Sequence, residues 1–221
     1  MKPLASSKVR AATPAARPRS SRVAILRAAE HLFAEKGLEG ARTEAIAAAA
    51  GVNKALLYYY FKSKDDLYLA ILEGHMKDFF EQALHILSGE GPAGATVLQY
   101  VSMHFDFMSA RPDYPRLVQR FMMARGRPFE RLARKYSLPV GAKFQSVIER
   151  GVRSGEFHAL DSHHTAISLA ALTSFYFAAA PILRVGSNID PYDAAQLARR
   201  KTEVLAFIRR ALFRNAEAIS Q

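Results

Sequence analysis

The 221-residue chain, half of it apolar, can bury a sizeable core in two compact units or one elongated helical one. It has no cysteine, which excludes disulfides and thiolate chemistry, and no uncharged apolar run of the roughly 20 residues that a bilayer-spanning helix needs. Its formal net charge of +11 is unevenly spread: residues 1–22 carry six basic side chains and no acidic one, residues 23–70 carry six of each, and the rest is mildly basic.

The leading residues, with Pro3, Pro14 and Pro18 among their cations, lack the apolar segment of a signal peptide. Residues 1–20 are expected to be a disordered basic arm, either tracking phosphates or merely solvated, and the protein is expected to stay in the cytoplasm. Apolar residues then recur at helical spacing almost everywhere, and no stretch alternates as a strand. A first helix is predicted from about Ser21 to Lys36, with Ile25, Ala28, Ala29, Leu32 and Phe33 on its inner stripe and Gly37 where a left-handed C-terminal residue is wanted. A short second helix follows Thr43, turns Ile46 and Ala50 inward and stops at Gly51. Asn53 is a good N-cap for a third helix ending near Tyr60, and Ser63 with Asp66 caps a fourth that carries Leu67, Ala70 and Ile71.

Beyond a glycine-rich break at Ser88–Gly94, helices are predicted at about 95–109, 114–124, 128–153, 162–183 and 191–214. Pro139 should kink or split the third of these. Asp161 marks one start, and Asp190-Pro191 marks another, with Pro191 at the first helical position. The apolar run Ala166 to Val185, interrupted by Ser168, Thr173, Ser174, Tyr176, Pro181 and Arg184, reads as a buried or interface helix. The fold class is therefore all-α: an N-terminal three-helix domain at 21–68, a larger helical domain at 69–215, and a tail at 216–221.

The segment Thr43 to Tyr60 carries the function. A helix-turn-helix needs a tight turn so that two helices cross steeply and the second projects into the major groove. Gly51 permits the positive φ, Val52 can fill the angle, and Ala47 is small enough for close approach. Leu57 and Tyr60, three apart, can face the first helix. Lys54, Ala55, Tyr58 and Tyr59 are then left outside, where a cation, a small residue and phenols suit a DNA surface.

Taken together, the runs AILRAAEHLFAEKG (Ala24 to Gly37), Ile46-Ala47, AGVNK (Ala50 to Lys54) and LYYYFKSKDDL (Leu57 to Leu67) resemble the TetR family of transcriptional regulators over residues 21 to 73. The resemblance implies an all-helical homodimer with a DNA-binding head and a C-terminal domain that dimerises and encloses a small-molecule effector, and it needs no cofactor. It places Thr43 at a phosphate at the start of the second helix and Lys54, Ala55 and Leu56 at the base-facing start of the recognition helix, with the neighbouring Arg42 and Asn53 also expected among the DNA-binding residues. Tyr58 and Tyr59 fall on the DNA backbone, and Lys64 on a phosphate where the fourth helix begins. Two positions depart from the family. Leu56 stands where threonine is common, so packing on a thymine methyl replaces a polar contact. Glu44 stands where some relatives have a basic residue, which leaves base contacts from the second helix open.

For the larger domain, Ile167, Ala170, Ala171, Ser174 and Ala178, with Val204, Leu205, Ile208, Ala211 and Leu212, are expected to form a four-helix dimer interface from the last two helices. That would set two recognition helices about 34–36 Å apart on a near-palindromic operator. Met103, Phe105, Phe107, Met108, Phe121, Met122, Met123, Phe175, Tyr176 and Phe177 are candidate walls of an apolar effector pocket, with plain core packing as the alternative. The basic cluster at 111–135 either faces solvent or holds an anionic ligand, and His158, His163 and His164 lack metal-ligand spacing, so no metal is expected. No nucleophile elbow, phosphate-cradling loop or His-Glu-x-x-His motif marks an enzyme. A DNA-binding architectural protein without a sensor remains the rival reading.

Overall fold

The computed structural model describes residues 18–123, 126–187 and 190–215, so the basic arm up to residue 17 and the tail from 216 lie outside the described residues. Helix α1 (Pro18–Gly40) buries Ile25, Ala29 and Phe33 completely and turns at Gly37, whose φ of 73° is the left-handed conformation expected there. The chain continues into α2 (Thr43–Ala49) and α3 (Lys54–Tyr60). Asn53 caps α3 by accepting from Leu56 N at 2.7 Å, and Ser63 caps α4 (Lys64–Leu87) by accepting from Asp66 N at 3.0 Å. Both caps were readable as residue types. The length of α4 was not: it runs unbroken through residue 68, so one helix serves both halves of the molecule.

Next come α5 (Ala93–Ser109), α6 (Tyr114–Met123) and α7 (Arg127–Leu132). Helix α5 starts two residues before the predicted position because a distant side chain caps it: Glu156 accepts from Ala93 N (3.1 Å) and Gly94 N (2.8 Å). Those bonds, together with one from Ser154, hold the Glu156 carboxyl below its ordinary pKa against the opposing effect of burial. A π-helical turn, Ala133–Ser137, joins α7 to α8 (Leu138–Arg153). Pro139 explains it. With no N–H to offer the carbonyl four residues back, the ladder widens, and Leu138 N reaches Ala133 O instead. The wider turn aims Lys135 and Tyr136 at Glu73 on α4, at 2.7 and 3.1 Å.

The predicted helix 162–183 is two. Helix α9 (Ser162–Ala178), capped by Asp161 on His164 N at 2.8 Å, meets α10 (Ala180–Ser187) at a bend of 57°. Pro181 lies in the first turn of α10, where a missing N–H costs nothing, and cannot continue α9. No single helix among the described residues is long and apolar enough to cross a membrane. The predicted start at Asp190-Pro191 also moves. Asp190 closes a turn, accepting from Tyr192 N and from Arg184, and Pro191 is buried in it. The cap of α11 (Ala194–Leu212) is Asp193, which accepts from Ala195 N at 2.9 Å.

Packing groups the helices into three clusters of buried apolar side chains. The first joins α1–α4 to Leu117 and Phe121 of α6 and to Leu132 and Tyr136 beyond it. The second unites α4, α5, α8, α9 and α11, and the third gathers Phe105, Phe107, Met108, Tyr114 and Phe177. Val204, Ile208 and Leu212 are sealed inside the second cluster, which corrects their assignment to a dimer surface; α11 turns Phe207 and Ala211 outward instead.

Candidate nucleic-acid interface

The turn between α2 and α3 is built as a helix-turn-helix requires. Gly51 has φ 66°, Val52 N bonds Ala47 O at 3.0 Å, and Ala47, 3 % exposed, lets α2 close against the core. Leu57 is the buried anchor of α3, fully sealed against the head, and Tyr60 packs half-buried against the same core. The rest of α3 faces outward. Asn53, Lys54 and Ala55 are exposed, Leu56 is half-buried, Tyr58 is 43 % exposed and Tyr59 is 80 % exposed. Arg42 is exposed and Thr43 half-buried at the start of α2. Lys64, at the N-terminus of α4, donates to Glu39 O at 3.4 Å, which stations its ammonium beside the positive end of that helix.

One feature of this surface was not legible as a contact. Lys54 Nζ lies 2.5 Å from Glu44 Oε1, and Thr43 Oγ1 donates to the other carboxylate oxygen at 3.4 Å. The bond to Lys54 holds the Glu44 carboxyl below its ordinary range and in turn raises the Lys54 ammonium. Lys54 also sits 5.8 Å from the centre of the Tyr58 ring. Opposite charges ten residues apart across a tight turn were the only available signal.

The effector candidates fall in different surroundings. Phe105 and Met108 are sealed in the third cluster, and Phe121 belongs to the head's core. Met122 and Phe175 point outward at 68 and 70 % exposure. Tyr176 donates to Pro191 O at 2.8 Å, and Met103 lines an open groove of about 370 Å³ between α4 and α5 with Gln82, Gln99, Asp106 and Arg111. The seven therefore share no single cavity among the described residues. Of the basic cluster, Arg111 stacks on the Phe107 ring at 3.8 Å, and the Arg120 guanidinium occupies the place that a side chain at Gly37 would take.

The sequence also gave no sign of a polar pair inside the larger half. His104 Nδ1 lies 2.8 Å from Thr173 Oγ1, between α5 and α9, with Phe79 at 5.2 Å and Tyr100 at 6.3 Å between ring centres. The Thr173 hydroxyl donates to Ala170 O at 2.9 Å, so its oxygen accepts from the imidazole, and burial pushes the His104 pKa down to about 4.

Comparison with known proteins decides the family. Residues 25–71 match the pattern of bacterial regulatory proteins of the tetR family, and residues 95–208, just over half the chain, match the tetracyclin repressor-like C-terminal domain. The chain belongs to the TetR family. It is a DNA-binding transcriptional regulator. A TetR-family relative, the HTH-type transcriptional regulator RutR of Escherichia coli K12, is 31 % identical over 160 residues, covering 72 % of this chain and 74 % of its own. The HTH-type transcriptional repressor NicS of Pseudomonas putida is 26 % identical over 156 residues, or 69 and 73 % of the two chains. Two solved structures share the fold. KstR2 of Mycobacterium tuberculosis superposes with a TM-score of 0.70 at 18 % identity over 87 % of this chain and 95 % of its own. FadR of Bacillus subtilis, solved with stearoyl-CoA, gives 0.66 at 19 % identity over 84 and 96 %. TetR-family regulators are typically homodimers.

Proposed function

We propose that this regulator binds a near-palindromic operator as a homodimer in the cytoplasm and leaves it when a small molecule occupies its larger half. The observation that carries the reading is the division of α3: Leu57 is sealed, while Lys54, Ala55, Tyr58 and Tyr59 face outward. On this reading Arg42, Thr43, Tyr58, Tyr59 and Lys64 meet phosphates, and the first turn of α3, from Asn53 to Leu56, meets bases. The dimer forms through the outward apolar faces of α9, α10 and α11, where Ile167 (54 %), Phe175 (70 %), Ile182 (75 %), Val185 (89 %) and Phe207 (57 %) are all exposed.

The effector reading is supported by the fold neighbour solved with stearoyl-CoA and by the aromatic surroundings of His104 and Thr173, apolar with one polar handle. Release works by population: the ligand favours a dimer whose heads no longer fit successive grooves, and only its differential affinity drives the shift. No reaction is assigned, in keeping with relatives that are transcriptional regulators.

The test is binding to duplexes selected from a random pool. Lys64→Ala should weaken every selected duplex by about 5- to 10-fold and reduce the salt slope by about one, and Tyr58→Ala should weaken them similarly. A protein that prefers no duplex over random competitor, or two variants that bind as the parent does, would overturn the placement.

A further inference from the structure

A carboxylate on a surface that meets phosphates is repelled unless a cation neutralises it or a base donor occupies it. Glu44 stands on such a surface, in the first turn of α2, with its side chain 63 % exposed and its partner Lys54 50 % exposed. The ion pair places an acceptor and a donor side by side, 2.5 Å apart, facing away from the core.

Resting on the operator-binding reading above, we infer that Glu44 and Lys54 act as one unit that reads a single G·C base pair in each half-site, Lys54 on the guanine and Glu44 on the cytosine. The major-groove edge of that pair offers guanine O6 and N7 as acceptors and cytosine N4 as a donor. O6 and N4 are themselves hydrogen-bonded to each other, about 2.9 Å apart, so an ion pair of similar spacing can engage both without breaking. The unit also fixes orientation. A reversed C·G or A·T pair sets a donor against the ammonium and an acceptor against the carboxylate. A T·A pair keeps the donor–acceptor order but presents a methyl where guanine presents N7, which a cation does not favour. In the unbound chain Thr43 donates to the second carboxylate oxygen at 3.4 Å, which presets Glu44 in this pose before the hydroxyl turns to a phosphate.

The reading explains a lysine at the first position of the recognition helix that is not left as a bare phosphate-seeking charge. Pairing with Glu44 makes the unit neutral overall, which lowers attraction to any duplex while adding discrimination at one base pair.

Selection from a random duplex library with the parent, Lys54→Ala, Glu44→Ala and Glu44→Gln decides the matter. The parent should select one G·C pair per half-site that all three variants relax at the same position by about fivefold or more, while the remaining positions keep their preferences. Glutamine can donate as well as accept, so Glu44→Gln should lose orientation, and both Glu44 variants should bind random duplex more tightly with a steeper salt dependence. Identical selected motifs in parent and Glu44 variants, or Lys54 and Glu44 variants relaxing different positions, would overturn the inference. A parent that selects no motif at all would instead remove the operator-binding reading beneath it.

Discussion

Helices α3 and α9 each bury one stripe and expose another, and the exposed stripes have opposite chemistry. The outward side of α3 carries Lys54, Tyr58 and Tyr59; that of α9 carries Ile167, Ala171 and Phe175. Burying either stripe would cost or gain very differently: phenols and an ammonium suit a wet, anionic surface, whereas an isoleucine and a phenylalanine each gain about 1.5–3 kcal/mol on leaving water. On the proposed function, the first stripe meets a polyanion and the second an apolar surface of the partner subunit. What a helix conceals fixes the fold. What it leaves showing identifies the partner.

The contrast is broken most severely by giving α9 the polarity of α3. Phe175→Glu should yield a monomer by sedimentation velocity and weaken operator binding on the order of 100-fold or more, because the second head no longer binds at high effective concentration. A dimer that persists would place the interface elsewhere. On the concealed side of α3, Leu57→Ala should remove about 3 kcal/mol from urea-unfolding stability, the usual cost of emptying a sealed leucine site. An unchanged midpoint would mean that α3 does not depend on that anchor.

The concealed side of α9 gives a smaller, pH-dependent effect. The His104 ring takes a proton only near pH 4 in the folded chain, against an ordinary value of 6.5, so between those values the unfolded chain binds the proton more readily. Stability is therefore full above about pH 6.5 and declines as pH falls toward 4. Thermal melts should drop by a few degrees between pH 7 and 5, above the range where most carboxylates titrate, and His104→Asn should flatten that slope. Equal slopes in parent and variant would refute it.

Much of the head was written in local sequence. Asn53 and Ser63 cap helices through bonds three residues long, as Asp161 does in the larger half, and Gly37 and Gly51 adopt positive φ where a turn demands it. Features that depend on distant partners were not readable. Glu156 caps α5 across some sixty residues, His104 finds Thr173 across 69, and α11 sorts Val204, Ile208 and Leu212 inward only because α5 and α9 already stand there. The bend between α9 and α10 lies between these extremes: Pro181 announced it, yet the apolar run across it read as one helix. At the interface the residue types were legible, whereas the coupling of Glu44 to Lys54 needed the turn angle that brings two first turns together.

The shared first cluster has a consequence for protein engineering. Leu117 and Phe121 complete the core beneath α1 and α4, Tyr68 donates to Leu117 O at 3.1 Å, and Arg120 fills the notch left by Gly37. A graft that severed the chain after residue 68 and fused its first part to an unrelated sensor would leave that core open on one side. Swapping heads between regulators of this build should therefore succeed only when the matching stretch of α6 travels with the transplant.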